Sequence, residues 1–284
     1  MARPSKSHKP RPWTFYPLAV FFGLFVLFLY GPMFCIYILS FQGPNASLVF
    51  PMQGVSLHWF EALFGQARTG DVGGAFARSL PLALIILAIT VIFSVAAGLA
   101  FRSRFFGNSV IFYTAIGSLV VPGLVLGVGI TLLLQLLGWN AHWYSSALGA
   151  HLTWTLPFGL LIMFAVLSRF DPRVEEAARD LGASNLQSMR YVMIPILLPG
   201  IIAVALFGFT LSYDEFPRST FTVGARNTLP LEIWSMTTNV TSPALYALGT
   251  VTTAISFFII VISLSAIGVI QSRRQRARRK EPKA

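Results

Sequence analysis

Long uncharged intervals alternate with short polar segments along this chain. One apolar run extends from about Phe15 to Ser40, another lies between Arg78 and Arg102, roughly Leu80 to Phe101, and the 64 residues between Arg104 and Arg169 carry no formal charge at all. Arg190 and Asp214 enclose a further run, and a last one ends near Ile270. A helix rises about 1.5 Å per residue across a hydrocarbon layer about 30 Å thick, so each crossing takes about 20 apolar residues. The 64-residue interval is too long for one crossing and suits two joined by a hairpin. The break is "LGWNAHWYSS", Leu137 to Ser146, whose Gly, Asn and aromatics match an interfacial turn. The pattern therefore predicts an all-α polytopic membrane protein with six transmembrane helices. The first run is too long for a signal-peptide core and lacks a small-residue cleavage site, so it reads as a retained anchor. The expected organisation is a basic segment 1–14, a first helix over 15–41, a five-helix core over 75–270 containing a polar loop at 169–193, and a basic tail over 271–284.

Composition agrees. Hydrophobic residues make up 55% of the 284, charged residues only 11%, and the mean hydropathy is +0.69, which excludes an ordinary soluble domain. The net charge of +11 would suit nucleic acid if it formed a stripe or patch. Instead it sits at the ends of apolar runs: seventeen Lys and Arg fall on one side of the predicted helices and four, Arg68, Arg78, Arg218 and Arg226, on the other. Retained positive charge marks the cytoplasmic side, so both termini are placed there. The tail "RRQRARRK" reads as a stop and a contact for membrane lipid headgroups, with no nucleic acid as partner. Cys35 is the single cysteine and lies within the first apolar run, where it reads as packing.

The loop between the fourth and fifth predicted spans holds "EEAARDLGAS", Glu175 to Ser184. Asp171 before Pro172 is an N-cap with proline at the first helical position. Gly182 supplies a left-handed stop. Ser184 with Gln187 makes a capping box for a second helix that runs past Pro195 into the next span. On the first helix Ala177, Ala178 and Leu181 form a small apolar patch framed by Glu175, Glu176, Arg179 and Asp180. Small residues admit another backbone closely while charges at the rim orient it, which suits docking to a separate cytoplasmic protein. The alternative on spacing alone is an amphipathic helix lying at the membrane interface, for which the apolar side is small.

These residues resemble a known family, the membrane subunits of bacterial ABC importers with the type I fold. Its loop carries Glu-Ala-Ala, three residues, Gly, nine residues, then Ile, any residue, Leu-Pro. This chain has Glu176-Ala177-Ala178, Gly182 and Val192-Met193-Ile194-Pro195 at the same spacing, with Val and Ile replacing Ile and Leu. The resemblance covers about residues 75 to 270. It is nearest to the second permease of spermidine/putrescine-type systems, through "VPGLVLGVG" at Val121 to Gly129, "LSYDEF" at Leu211 to Phe216, and "TLPLEIWSM" with "SPALYALGT" between Thr228 and Thr250. It implies a multi-pass protein of the bacterial inner membrane in which Glu175, Glu176, Ala177, Ala178, Asp180, Gly182 and Pro195 belong to an ATPase-coupling loop. The implied partners are two ATP-binding subunits, a second homologous permease and an extracytoplasmic solute-binding protein. The implied cargo is a polyamine, with an amino-acid derivative, phosphonate or metal chelate as the alternative.

The residues add three points of chemistry. No Gly, four residues, Gly-Lys-Ser/Thr segment occurs, so ATP hydrolysis falls to partners and the chain is not expected to be an enzyme. No metal cluster is suggested and no cofactor is expected; His142 and His151 read as interfacial hydrogen-bonding groups, and the intramembrane acid, base or metal constellation that the alternative, a membrane-embedded enzyme or passive channel, would need is not found. Ionisable groups beside a membrane are costly and mark candidate sites. Tyr213, Asp214 and Glu215 end the fifth span, where carboxylates beside an aromatic ring suit an organic cation; equally, the carboxylates cap the helix end with Arg218 as their partner. Glu232 is a weaker candidate in the same outer segment. Pro122, Gly123, Gly127 and Gly129 in the third span, like Pro157 in the fourth, fit either kinking or close packing. The triplets Asn45-Ala46-Ser47 and Asn239-Val240-Thr241 are read as chance.

Overall fold

A bilayer forces every backbone polar group to be satisfied within its own helix, and the chain is built accordingly. The computed structural model describes residues 12–45, 50–65, 70–239 and 242–280. Residues 1–11, Arg68, Ala46-Ser47, Val240-Thr241 and 281–284 lie outside these, so the N-terminal charges, both Asn triplets in part, and the tip of the tail do too. The helices are α1 Phe15–Leu39, α2 His58–Gly65, α3 Val72–Ala100, α4 Asn108–Gly117, α5 Gly123–Leu136, α6 Ser146–Leu167, α7 Pro172–Asp180, α8 Asn185–Gln187, α9 Ile194–Tyr213, α10 Ser219–Thr222, α11 Leu229–Asn239 and α12 Ala244–Lys280. A π-helical segment, Ser188–Met193, joins α8 to α9.

Five helices among the described residues are long and apolar enough to cross a membrane: α1, α3, α6, the continuous helix Asn185–Tyr213, and α12 from Ala244 to Ser265. The third expected span departs from prediction. Its interval is divided into α4 and α5, because Pro122, extended at ψ 130°, lacks an N–H and pushes the residue before it out of helical conformation. Ser118 turns the chain at this break, its hydroxyl donating to the carbonyls of Ala115 at 2.7 Å and Thr153 at 2.9 Å. The hairpin before α6 falls where expected, with Gly138 at φ +74° closing α5.

The chain forms two compact units. The first holds residues 1–63 and 242–251. In it the segment after α1 is folded by a hydrogen bond from the Trp59 indole to the Gly43 carbonyl at 3.2 Å, by Gln53 N donating to the Gln42 side chain at 3.0 Å, and by a Phe41–Phe60 ring contact. The α1 helix is apolar on all sides and mostly exposed, with Leu39 buried at its end. Cys35 shares that exposure rather than the packed position expected of it, because a helix without a polar face has no preferred inner side.

The second unit, residues 64–241 and 252–284, is centred on α3, α6 and α9 packed together. Hydrocarbon side chains gain little by leaving lipid for one another, so close approach of backbones must supply the packing. A side chain at Gly159 of α6 would strike Ser94 Oγ of α3, one at Gly200 of α9 would strike Val166 of α6, and one at Gly208 would lie 3.3 Å from Thr90. At this contact Thr90 donates a buried hydrogen bond to Thr155 Oγ1 at 2.9 Å. Met163, Leu197 and Val204 fill the bundle toward one end, and Leu82, Ile86 and Ala147 toward the other. The bundle thus has a loop end, carrying α7, and a far end, carrying Asp71, Ser146 and Asp214.

Candidate functional site: a loop helix and an outer cluster

At the loop end the capping pattern folds as the sequence predicts. Asp171 accepts from Arg173 N at 3.0 Å, and Pro172 stands in the first turn. Gly182 has φ +86°, a conformation that side chains with a Cβ rarely adopt. It closes α7 with two hydrogen bonds, Gly182 N to Arg179 O at 2.8 Å and Ala183 N to Ala178 O at 3.0 Å, the Schellman arrangement. Ser184 and Gln187 complete their reciprocal box. The continuous helix that follows carries Pro195, half-buried, in the first turn of α9.

The candidate docking residues divide into two sets. Glu176, Ala177, Asp180, Leu181 and Gly182 are exposed, with Leu181 89% accessible. Ala178 is half-buried. Glu175 faces the bundle, its carboxylate 2.8 Å from Arg102 of the segment after α3 and 2.8 Å from Arg179. On this face the exposed Leu181 stands among small residues beside the acids Glu176 and Asp180.

At the far end, Tyr213, Asp214 and Glu215 do not converge. Tyr213 is buried with its ring stacked on Phe209 at 5.4 Å. Asp214 caps α9 and lines an open cavity of about 290 Å³ with Tyr213, Phe216, Pro230, Ile233 and Trp234. It keeps contact with solvent, yet its surroundings desolvate the carboxyl enough to raise its pKa above the ordinary aspartate value. Glu215 turns inward: it accepts from Arg218 N at 2.9 Å and pairs with the Arg218 guanidinium at 3.4 Å. That guanidinium lies 4.4 Å from the centre of the Trp154 ring. Glu215 thus takes Arg218 as its partner, while Asp214 stands at the cavity.

Glu232 also has a structural arrangement. It accepts from Asp71 N at 2.8 Å and from the Asn227 amide at 2.9 Å. Arg78 donates from Nε to the Asn227 carbonyl at 2.7 Å and pairs with Asp71 at 2.8 Å, tying α11 to the start of α3. The Arg78 hydrogen bond holds the Asp71 carboxyl below its usual pKa, against the opposing effect of burial.

Sequence reading placed His151 at an interface, but it is buried among α6, α9 and α10. Its Nδ1 lies 3.0 Å from Ser212 Oγ and its Nε2 2.8 Å from Ser219 Oγ. Ser219 donates to the Glu215 carbonyl at 2.7 Å, so it accepts from Nε2–H and leaves Nδ1 to accept from Ser212. The sequence around it on α6 gives no hint of this, since both partners come from elements more than sixty residues away. His142 instead stacks on Tyr144. Gly123 and Gly127 admit Pro217 and Arg218 of the same cluster, where a side chain would meet atoms 3.0–3.1 Å away, whereas Gly129 faces open space. The first two are packing positions, and the kink belongs to Pro122.

The chain is similar to known proteins. The family described as "Binding-protein-dependent transport system inner membrane component" matches residues 76–277. The chain is 31% identical over 242 residues to the spermidine/putrescine transport system permease protein PotC of Haemophilus influenzae, covering 83% of this chain and 90% of that one. It is 29% identical over 267 residues to the putrescine transport system permease protein PotI of Escherichia coli, covering 91% and 88%. Its fold is similar to a chain of a bacterial ABC transporter involved in import of the acidic polysaccharide alginate, with a TM-score of 0.60 at 16% identity over 95% of this chain and 99% of that one. A chain of the MetNI methionine ABC transporter in inward-facing form gives a TM-score of 0.52 at 16% identity, over 71% and 98%.

Proposed function

From the premise that this chain belongs to the binding-protein-dependent transport system inner membrane components, we propose that it is the permease subunit of a polyamine importer, driven through α7 by a separate ATPase. It is a multi-pass protein of the bacterial cytoplasmic membrane, and its relatives named above transport spermidine or putrescine. The observation that carries the coupling role is the exposed surface of α7: Glu176, Ala177, Asp180 and Leu181 stand clear of the bundle on a helix fixed at both ends by caps. A helix so held passes a push from a docked protein into the bundle instead of fraying. The remaining partners follow from the same reading: a second ATP-binding subunit, a homologous permease completing the pore, and a solute-binding protein at the far end.

For the solute, the supporting feature is the cavity that sets the Asp214 carboxylate among Tyr213, Phe216 and Trp234. A carboxylate and aromatic faces together suit an alkylammonium, by charge pairing and cation–π attraction. The cavity holds one carboxylate from this chain, which also suits a solute with a single cationic group.

The test is reconstitution of the chain with its ATPase, second permease and binding protein in proteoliposomes, followed by uptake of labelled spermidine. ATP-dependent, saturable uptake competed by putrescine is expected. Uptake restricted to an anionic or neutral solute would overturn the polyamine reading and leave the coupling role standing.

A further inference from the structure

We propose that Arg102 is a positioning residue that clamps the coupling loop to α3, so that work received by α7 enters all three helices of the central bundle. The chain itself joins α7 to α6, which ends at Leu167, and through α8 to α9. It gives α7 no connection to α3. Arg102, two residues beyond α3, supplies one by reaching three separate points of the loop. Its guanidinium lies 5.4 Å from the centre of the Phe170 ring, before α7 begins. Nη2 is 2.8 Å from Glu175 Oε2, within α7. Nη1 lies 3.8 Å from Met193 Sδ, at the end of the π segment leading into α9.

These contacts use what distinguishes arginine from lysine: a flat face for the ring and a fork whose nitrogens point at different partners. Glu175 is anchored on its other oxygen by Arg179, one turn along α7, and its side chain is 14% exposed, so its carboxylate is turned toward the bundle while Glu176 remains outside. An exposed ion pair by itself contributes little. The significance lies in geometry, because one side chain from α3 ties together the entry, the middle and the exit of a loop otherwise hung from two helices.

This inference rests on the reading of α7 as the ATPase contact, and the experiment separates the two. In the complete complex, with Cys35→Ser to remove the single native thiol, nitroxide labels are placed at Ser103→Cys and Arg173→Cys, two exposed positions on either side of the clamp. The distance between them is measured without nucleotide and after trapping with ATP and vanadate. The expected result is one narrow distance common to both states. Arg102→Ala should broaden it and make it differ between states, with solute moved per ATP falling about tenfold, in the range of ordinary coupling energies, while the ATPase still co-purifies. Glu175→Gln should do the same, and the double variant should add nothing, since both residues act through one contact. Arg102→Lys, which keeps the charge but not the face or fork, should fold and give an intermediate distribution.

Unchanged distances and coupling in Arg102→Ala, simple addition in the double variant, or a wild-type distribution in Arg102→Lys would each overturn the clamp. Failure of the ATPase to co-purify with the unsubstituted chain would instead overturn the docking reading, and the clamp with it.

Discussion

Glu215 and Arg218 form an ion pair across 3.4 Å with only 5% and 4% of their side chains accessible, so neither charge has water to fall back on. Removing one partner from a buried pair strands the other, at a cost of about 3–5 kcal/mol. Glu215→Ala should therefore lower the unfolding temperature of the purified chain in detergent sharply and reduce transport irrespective of solute charge. Replacing both, as Glu215→Leu with Arg218→Met, should recover most of that stability. A single variant as stable as the parent would show that the pair is not held as described.

Asp214, one residue away, should behave in the opposite manner. Asp214→Asn is expected to leave the unfolding temperature unchanged and to raise the KM for spermidine about tenfold, as the loss of one charge-assisted contact implies. Uptake should also depend on pH with a definite sign. Desolvation raises the carboxyl's pKa, so the attractive charge is present above that raised value and disappears as pH falls through it, at a higher pH than an ordinary aspartate would give. Asp214→Asn should flatten this limb. An identical acid limb in parent and variant would remove Asp214 from the solute path.

On α7, Glu176→Arg reverses an exposed charge without touching a bundle contact. Solute-stimulated ATP hydrolysis should be abolished while the chain still inserts and purifies. Gly182→Asp should do likewise, and Gly182→Ala should show a milder loss, since a Cβ at φ +86° costs about 1–2 kcal/mol. Full stimulation in Glu176→Arg and Gly182→Asp would sink the docking role.

Two glycines separate packing from mere flexibility. Gly159→Ala would drive a methyl into Ser94 and Thr90 and should destabilise the bundle by about 1–3 kcal/mol in thermal unfolding. Gly129→Ala meets nothing within 4 Å and should be neutral or slightly stabilising, because alanine favours the helix by about 1 kcal/mol. Equal effects at both positions would contradict the placement of α6 against α3.

The local grammar of the chain was readable without coordinates. Asp171, Pro172, Gly182, Ser184 and Gln187 each act over no more than four residues, so their roles follow from neighbours in sequence. The long apolar helices were readable too, because lipid enforces length and composition together. What sequence could not supply was direction. Nothing in "YDEF" distinguishes the carboxylate that lines a cavity from the one that turns in to meet Arg218, and the choice is made by Trp154 and His151 on another helix. Glu175 and Glu176 look equivalent in the same way, until Arg102 claims the first. The divided third interval carried its signal in Pro122, but hydropathy counts residues and does not register a missing N–H.

The Thr90–Thr155 hydrogen bond lies partway along α3 and α6, with Gly159 and Gly208 pressed against the same turn of α3. Surrounded by hydrocarbon, a hydroxyl pair has no water to trade with, so it resists sliding of one helix along the other far more than it resists a change of tilt. The contact therefore fixes the height at which α3 and α6 meet, between the end that carries α7 and the end that carries Asp214.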